Sequence, residues 1–422
     1  MERGNTRKVI AAGAIGNVLE WYDFAVYGYF AAAIGRAFFP SEDTVAQVLA
    51  AFGIFAVGFL MRPIGGAVIG VIGDRLGRRA ALTVSVAAMA IPTFLVGVLP
   101  DYHTLGIAAP ILLTLLRMVQ GLSVGGEYTT SIIFIIEQSP PNRRALVGAL
   151  GCCGAIGGIL LGSATGALLA SVMSEQALEN WGWRLPFLFG LLVGVAGVAL
   201  RRHVHEAPRS APKARSPLLD TVRNHGPLLG KLAALSVFNS VGFYLMFVYI
   251  VSWLQTADGV APATALGINS VSMVLMLPVM VLMGWLSDRY GRRPVMLGAA
   301  TLGFVGALPF FWLMHQGHPS LILLGQLGFV VSVGAFIGAQ PALMVEAVPA
   351  EIRCTAIALG YNVTLGILGG FSPLVATWLV HRTGNDFSPA FMIMVAAAIS
   401  FAAILRFEET YRVNLQAAEG RS

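Results

Sequence analysis

Charged residues are scarce in this sequence. Only 11% of its 422 residues are Asp, Glu, Lys or Arg, whereas 56% are hydrophobic; an average soluble domain carries about 25% charged residues. Because a soluble protein needs a charged and polar surface, this composition excludes an ordinary soluble domain. It indicates a protein embedded in a lipid bilayer.

Residues typical of catalytic and metal sites are also scarce. The three cysteines, Cys152, Cys153 and Cys354, form no Cys–His grouping with metal-site spacing, and all seven histidines fall in predicted loops. The sequence contains no glycine-rich phosphate-binding loop. We therefore expect the protein not to be an enzyme and to hold no cofactor or metal.

Long apolar runs occupy most of the chain. A helix needs about 20 apolar residues to cross the hydrocarbon core of a bilayer, and twelve such runs follow one another. They begin near Val9, Val45, Ala80, Leu105, Val147, Leu185, Leu232, Thr264, Val295, Ser320, Thr355 and Pro389. The prediction is an all-α membrane protein with twelve transmembrane helices.

The basic residues are distributed unevenly between these runs. The formal net charge is +6, but most of the 27 Lys and Arg residues fall in cytoplasmic segments when both termini are placed in the cytoplasm. This is the positive-inside pattern of membrane proteins. It predicts a multi-pass protein of the cell (inner) membrane with both termini inside, and no nucleic-acid partner.

A basic, Pro-rich segment divides the chain. Residues 201–230 lack helical periodicity and are typical of a cytoplasmic linker. It would join an N-terminal six-helix bundle at 1–200 to a C-terminal bundle with a short tail at 231–422. The halves repeat a motif, since GDRLGRR at 73–79 recurs as SDRYGRR at 287–293. Such duplication predicts two pseudo-symmetric six-helix bundles around a central site.

Several strings resemble those of one transporter family. GVIGDRLGRR at 70–79 is similar to the loop between spans two and three of the major facilitator superfamily. Its metabolite:proton symporter branch is similar to this chain in the strings GNVLEWYDF at 16–24, RP at 62–63, RMVQG at 117–121, GGE at 125–127 and WGWRLPF at 181–187. The resemblance implies the major facilitator fold and alternating access. We expect a monomer that carries a small molecule.

The resemblance also implies gates. In the superfamily the loop acid is thought to cap the amino end of a helix in the opposite half, where the helix dipole favours negative charge. The residues that would close the cytoplasmic side here are Asp74, Arg75, Arg78, Glu137, Arg144, Asp288, Arg292, Glu346 and Arg353. The alternative is that these basic loops only set the topology.

Five ionisable residues lie inside apolar runs, all in the first third of the chain: Glu20, Asp23, Arg62, Arg117 and Glu127. A charge at mid-membrane costs about 2.5–3.5 kcal/mol even on lenient scales. Such residues usually face a bundle interior or a water-filled cavity and handle ions or substrate. We expect Asp23, Glu20 and Glu127 to couple transport to protons from a solvent-reachable chamber; the alternative is a purely structural role.

Arg117 needs a partner from another helix. It lies about 15 Å along its own helix from Glu127, which is too far for an ion pair. We hypothesise that Asp23 holds Arg117 and that protonation of Asp23 frees the guanidinium for a substrate carboxylate. Polar residues that share these helix faces, and would contact the substrate, are Asn17, Tyr27 and Gln120.

The second half contributes only neutral polar groups to its spans. The candidates for substrate contacts there are Asn239, Tyr244, Gln340 and Asn362. This pattern predicts that charge and proton coupling belong to the first half and neutral contacts to the second. Arg62 stays open between a second anion anchor and a structural pair.

The charge count leaves the substrate open: the five intramembrane residues sum to −1, which one proton neutralises and which suits a monocarboxylate or zwitterion, whereas two arginines also suit a di- or tricarboxylate. The leading prediction is proton-coupled symport of a small organic acid, such as a di- or tricarboxylate, by alternating access. The alternatives are symport of a zwitterion resembling proline or a betaine, and uncoupled uniport or exchange on the same fold.

Overall fold

The computed structural model describes residues 18, 20–65, 68, 72, 78–123, 127–201, 217–350 and 352–411, and within them all regular structure is helical. These helices group into twelve successive spans. In order, their bounds are 20–38, Thr44–Gly65, Arg78–Val98, 108–137, Arg144–Val172, Leu185–Arg201, Gly226–Asp258, Pro262–Tyr290, Arg292–Met314, Pro319–Ala347, Arg353–Thr383 and Ser388–Leu405. Span four consists of the described helices Ala108–Ser123 and Glu127–Glu137.

The predicted starts lie within a few residues of the observed ones, except at Val9, outside the described residues, and at span seven. Eight of the described helices are long and apolar enough to cross a membrane by themselves. The predicted lack of helix in the linker was wrong for Pro217–Asn224, which is helical. Span seven begins at Gly226, earlier than the apolar run at Leu232, because Pro227 lies in its first turn, where a missing N–H costs nothing.

Local chemistry sets where other spans begin. Asp43 caps span two by accepting a hydrogen bond from the Val45 amide at 2.8 Å, as acidic N-caps do. Pro262, Pro319 and Pro389 lie in the first turns of spans eight, ten and twelve.

Glycines let the helix backbones approach closely around span one. A Cβ added to Gly158 of span five would lie 2.4 Å from the Val18 carbonyl, and one at Gly121 of span four would lie 2.0 Å from the Gly58 carbonyl in span two. No larger residue fits there without moving a helix. These contacts bring spans one, two, four and five together, so the charged side chains of the first half share one interior.

Two spans of the second half contain π-helical turns, Leu245–Tyr249 in span seven and Leu365–Gly369 in span eleven. Such turns are rare and often occur at functional sites. The first lies against span one, where the Tyr29 hydroxyl donates to the Phe247 carbonyl at 2.8 Å. The second lies against span two, where a Cβ at Gly370 would meet Phe59 at 2.6 Å.

Candidate functional site: two buried ion pairs between the halves

Asp23 and Arg117 form the first buried ion pair. Arg117 Nη1 lies 2.5 Å from Asp23 Oδ2, and both side chains are completely buried. The pair joins span one to span four, as the sequence predicted. We call it the inner pair.

Two neutral side chains complete the inner pair. Gln120 Nε2 donates to Asp23 Oδ1 at 2.8 Å, while Gln120 Oε1 accepts from Arg117 at 2.9 Å. The Thr93 hydroxyl lies 2.8 Å from Asp23 Oδ1 and 2.7 Å from the Met89 carbonyl. Its single proton can serve only one of these acceptors. Sequence reasoning missed Thr93, because a lone threonine in an apolar helix usually bonds its own backbone.

Glu20 and Arg62 form the second pair, which we call the cage pair. Arg62 Nη2 donates to Glu20 Oε1 at 2.9 Å, and the two side chains are 1% and 9% exposed, respectively. The structure therefore brings Arg62 to span one, where the sequence had left its role open. Three aromatic rings face its guanidinium carbon, with centroids 5.6 Å away for Trp21, 5.8 Å for Phe24 and 5.2 Å for Phe59.

Both arginines keep hydrogen-bond donors that are not used within the described residues. Nε and Nη1 of Arg62 are buried without an acceptor, and so are Nε and Nη2 of Arg117. Leaving such donors unpaired is costly in a buried site. Aromatic faces offset part of this cost, since the Arg117 guanidinium carbon lies 4.4 Å from the Tyr27 ring centroid. Tyr27 thus joins the site through its ring, while its hydroxyl donates to the Ala51 carbonyl.

The predicted neutral groups of the second half are buried in spans seven, ten and eleven. Asn239 and Gln340 line a small cavity between the halves, together with Thr129 and Tyr361. The cavity volume of about 20 Å³ has room for about one water molecule. Asn362 is buried in span eleven. Tyr244 lies beside the cage pair.

Among the described residues, the acids do not open onto the expected aqueous chamber in this conformation. Asp23 is fully buried and Glu20 is 7% exposed. The physical reason is that the halves are in contact on both sides of the pairs. At one end of the bundle the contacts are ionic, and at the other they are neutral.

The ionic end carries the predicted gate residues. Asp288 of span eight accepts hydrogen bonds from the amides of Ala145 and Leu146 at 3.0 and 2.8 Å. It therefore caps span five of the opposite half, as the resemblance implied. Arg292 lies 2.7 Å from Asp288 and 2.9 Å from Glu346.

Two further ion pairs connect the halves at this end. Arg144 lies 3.5 Å from Glu346, and Arg353 pairs with Glu137. We call the whole set the latch; its members are Glu137, Arg144, Asp288, Arg292, Glu346 and Arg353. The sequence predicted these residues as a group but not the cross-pairing of one half's Glu with the other half's Arg.

The neutral end is held by amide and hydroxyl groups. Asn269 Nδ2 lies within hydrogen-bond distance of the Tyr29 hydroxyl, Ser163 Oγ and the Phe247 carbonyl, at 3.0, 3.2 and 3.2 Å. These groups connect span one and span five with spans seven and eight. The π-helical turn places the Phe247 carbonyl where it accepts from the other half.

Some predicted residues lie outside the described part. Asn17, Asp74 and Arg75 are not described, and for Arg78 and Glu127 only the helical backbone is. Their assigned roles stay predictions.

Comparisons with known proteins decide the family. The profile of the Major Facilitator Superfamily matches residues 13–373 and 268–421. The chain belongs to this superfamily. It is 37% identical over 434 residues to the glycine betaine/proline/ectoine/pipecolic acid transporter OusA of Dickeya dadantii, covering 99% of this chain and 86% of that protein. It is 35% identical over 436 residues to the proline/betaine transporter of Escherichia coli, with the same coverage.

Solved structures show the same fold. The proton:xylose symporter XylE, bound to 6-bromo-6-deoxy-D-glucose, superposes with a TM-score of 0.78 at 20% identity, covering 100% of this chain and 99% of that one. The predicted twelve-helix major facilitator fold is confirmed. The protein is a multi-pass membrane transporter, and its relatives support the zwitterion alternative better than the organic-acid prediction.

Proposed function

We propose that this transporter is a proton-coupled symporter of a small zwitterion of the proline or betaine kind. The observation that carries the proposal is the pairing at the core: two buried acids neutralise two buried arginines. A zwitterion adds no net charge of its own to this arrangement, so the coupled proton brings the single extra charge. A tricarboxylate would bring several uncompensated negative charges into a dry site, at a cost of several kcal/mol per ion.

Asp23 is the proposed proton carrier. When it is ionised, it accepts hydrogen bonds from Arg117, Gln120 and Thr93. When it is protonated, its hydroxyl can donate to Thr93, whose own proton then serves the Met89 carbonyl. Protonation thus removes the charge that holds Arg117 without leaving a polar group unpaired, and the guanidinium becomes available to a substrate carboxylate.

The remaining predicted roles follow from this scheme as proposals. Arg62 and Arg117 are the two carboxylate anchors, with neutral contacts from Gln120 and Asn239. The latch closes the end that the positive-inside pattern assigns to the cytoplasm, and its opening gives access to the inside. Glu20 and Glu127 remain secondary candidates for proton transfer. Asp74, Arg75 and Arg78 remain candidates for the repeated gate. We take the working unit to be one chain in the cell (inner) membrane, with both termini in the cytoplasm.

The test is uptake into proteoliposomes that contain the purified full-length protein. Labelled glycine betaine, proline, citrate and 2-oxoglutarate are compared with and without an acidic outside. We expect the two zwitterions to accumulate above equilibrium only with the pH gradient. Accumulation of the carboxylates alone would contradict the proposed substrate. Zwitterion uptake that is the same with and without the pH gradient would indicate a uniporter.

A further inference from the structure

The cage pair has an environment that its own ion pair does not explain. Trp21, Phe24 and Phe59 each place a ring within 6 Å of the Arg62 guanidinium carbon. Tyr244 closes the same space, since its ring stacks on Trp21 at 6.5 Å and meets Phe59 edge-on at 5.2 Å. We call these four residues the aromatic cage. It already holds a cation, and that cation belongs to the protein.

Arg62 leaves most of its hydrogen-bond donors unused inside the cage. Only one of its three guanidinium nitrogens, Nη2, donates to Glu20; Nε and Nη1 find no acceptor among the described residues. A guanidinium is a strong bidentate donor, and this capacity is unused here. By contrast, aromatic faces are well suited to a quaternary ammonium group, which has no hydrogen bonds to offer.

A second polar group lies buried near the cage. The Tyr244 side chain is 1% exposed; its hydroxyl makes no hydrogen bond of full geometry in the described part of the chain, but it lies close enough to the Arg62 guanidinium to interact with it. Arg62, Glu20 and Tyr361 are its titratable neighbours. Tyr361 in turn lies 3.4 Å from Asn239 and lines the cavity between the halves. Tyr361 therefore belongs both to the lining of the cavity and to the polar neighbours of Tyr244.

We propose that the aromatic cage is the subsite for the cationic end of the zwitterion, an inference that rests on the proposed function. The substrate's ammonium group takes the place of the Arg62 guanidinium between Trp21, Phe59 and Tyr244. Arg62 turns toward the cavity, and its free Nε and Nη1 hold the substrate carboxylate. Glu20 stays beside the two cations, so the local charge remains balanced.

The two ion pairs differ in the ligand that each can bind. The inner pair also has aromatic neighbours, but there the acid is satisfied by three donors. The cage pair joins four rings to an under-used arginine. A zwitterion with a methylated nitrogen matches both features, whereas a plain carboxylate leaves the rings without a partner.

Two probes of equal shape test the cage. Glycine betaine and 3,3-dimethylbutanoate differ only in that a carbon atom replaces the charged nitrogen. Binding of both is measured on the purified full-length protein by equilibrium competition with labelled glycine betaine. A desolvated cation–π contact corresponds to on the order of 30-fold in affinity, so the wild type should prefer glycine betaine by at least that factor.

The variants ask whether Trp21 supplies this preference. Trp21→Leu should lose most of it, because leucine is apolar but has no ring face, and Trp21→Phe, which keeps a smaller ring, should retain part of it. Trp312→Leu is the matched control, since Trp312 is 57% exposed and far along the chain from the cage residues; it should leave the preference unchanged. The thermal unfolding midpoint of each variant reports whether it folds.

The outcomes separate the two levels of the proposal. If the wild type binds glycine betaine but Trp21→Leu and Trp21→Phe keep the full preference over the carbon analogue, the cage is only packing and this inference is wrong. Equal wild-type binding of both probes overturns it as well. If the wild type binds no zwitterion at all, the proposed function fails together with the cage.

Discussion

The inner pair and the cage pair lie one helical turn apart on the same span, yet their surroundings differ. The Asp23 carboxylate accepts from Arg117, Gln120 and Thr93, and every atom of it is buried. Each base keeps two guanidinium nitrogens without an acceptor among the described residues, but three aromatic rings lie against Arg62 and two against Arg117. An acid whose oxygens are hydrogen-bonded, beside a Thr93 hydroxyl that can reorient, is suited to binding and releasing a proton. An arginine with unused donors among aromatic rings is suited to binding an organic ligand.

The largest effect is expected from removing the charge of the inner pair. Asp23→Asn keeps the shape and an acceptor for Arg117 but cannot carry a proton. We expect it to abolish pH-driven accumulation in proteoliposomes while exchange of internal for external substrate persists. Asp43→Asn is the matched control, because Asp43 is an exposed N-cap and Asn caps equally well. Full accumulation by Asp23→Asn would contradict the assignment of the proton.

A smaller effect is expected at the cage pair. Arg62→Lys keeps the positive charge but loses the planar pair of donors, so KM for the zwitterion should rise about 10-fold or more, as for the loss of a charge-assisted hydrogen bond of about 1.5–3 kcal/mol. Uptake should remain dependent on the pH gradient. An unchanged KM would show that Arg62 does not contact the substrate. Loss of dependence on the pH gradient would show that the cage pair also takes part in proton coupling, which we assign to the inner pair.

The third effect concerns the close approach of spans two and four. A Cβ at Gly121 would lie 2.0 Å from the Gly58 carbonyl, so Gly121→Ala must push spans two and four apart. Overpacking of this kind costs about 1–3 kcal/mol, and thermal unfolding should occur several degrees lower. Gly157→Ala in span five is the control, since no atom of the described residues lies within 4 Å of its added Cβ; equal midpoints for the two variants would contradict the close approach.

The smallest effect is expected at the neutral end. Tyr29→Phe removes the hydroxyl that Asn269 and the Phe247 carbonyl share. Hydrogen bonds between membrane helices average about 0.6 kcal/mol, so the transport rate should change no more than about threefold. Loss of transport would show that this end contributes more than a weak lock.

The sequence predicted the parts of the site that depend on spacing along one helix. Asp23 could be matched with Arg117 because Arg117 had no partner within reach on its own helix. The latch could be grouped because its motif occurs twice. In both cases the inference needed only helical geometry and the cost of an unpaired charge.

Features that depend on distances between spans could not be predicted. A single aromatic residue in an apolar run usually only packs, and the cage exists because spans one, two and seven bring Trp21, Phe59 and Tyr244 around one guanidinium. Thr93 entered the inner pair because span three packs against span four. The closed conformation at the acids was missed too, because sequence does not report which of its alternating states a transporter occupies.

Proton flux during transport tests the division of labour most directly. Glycine betaine is added to proteoliposomes that contain a pH-sensitive dye, with no imposed gradient, and internal acidification is compared for the wild type, Glu20→Gln and Asp23→Asn. We predict substrate-driven acidification in the wild type and, at higher substrate concentration, in Glu20→Gln, but none in Asp23→Asn. Acidification that survives in Asp23→Asn and disappears in Glu20→Gln would reverse the roles of the two pairs and contradict the account.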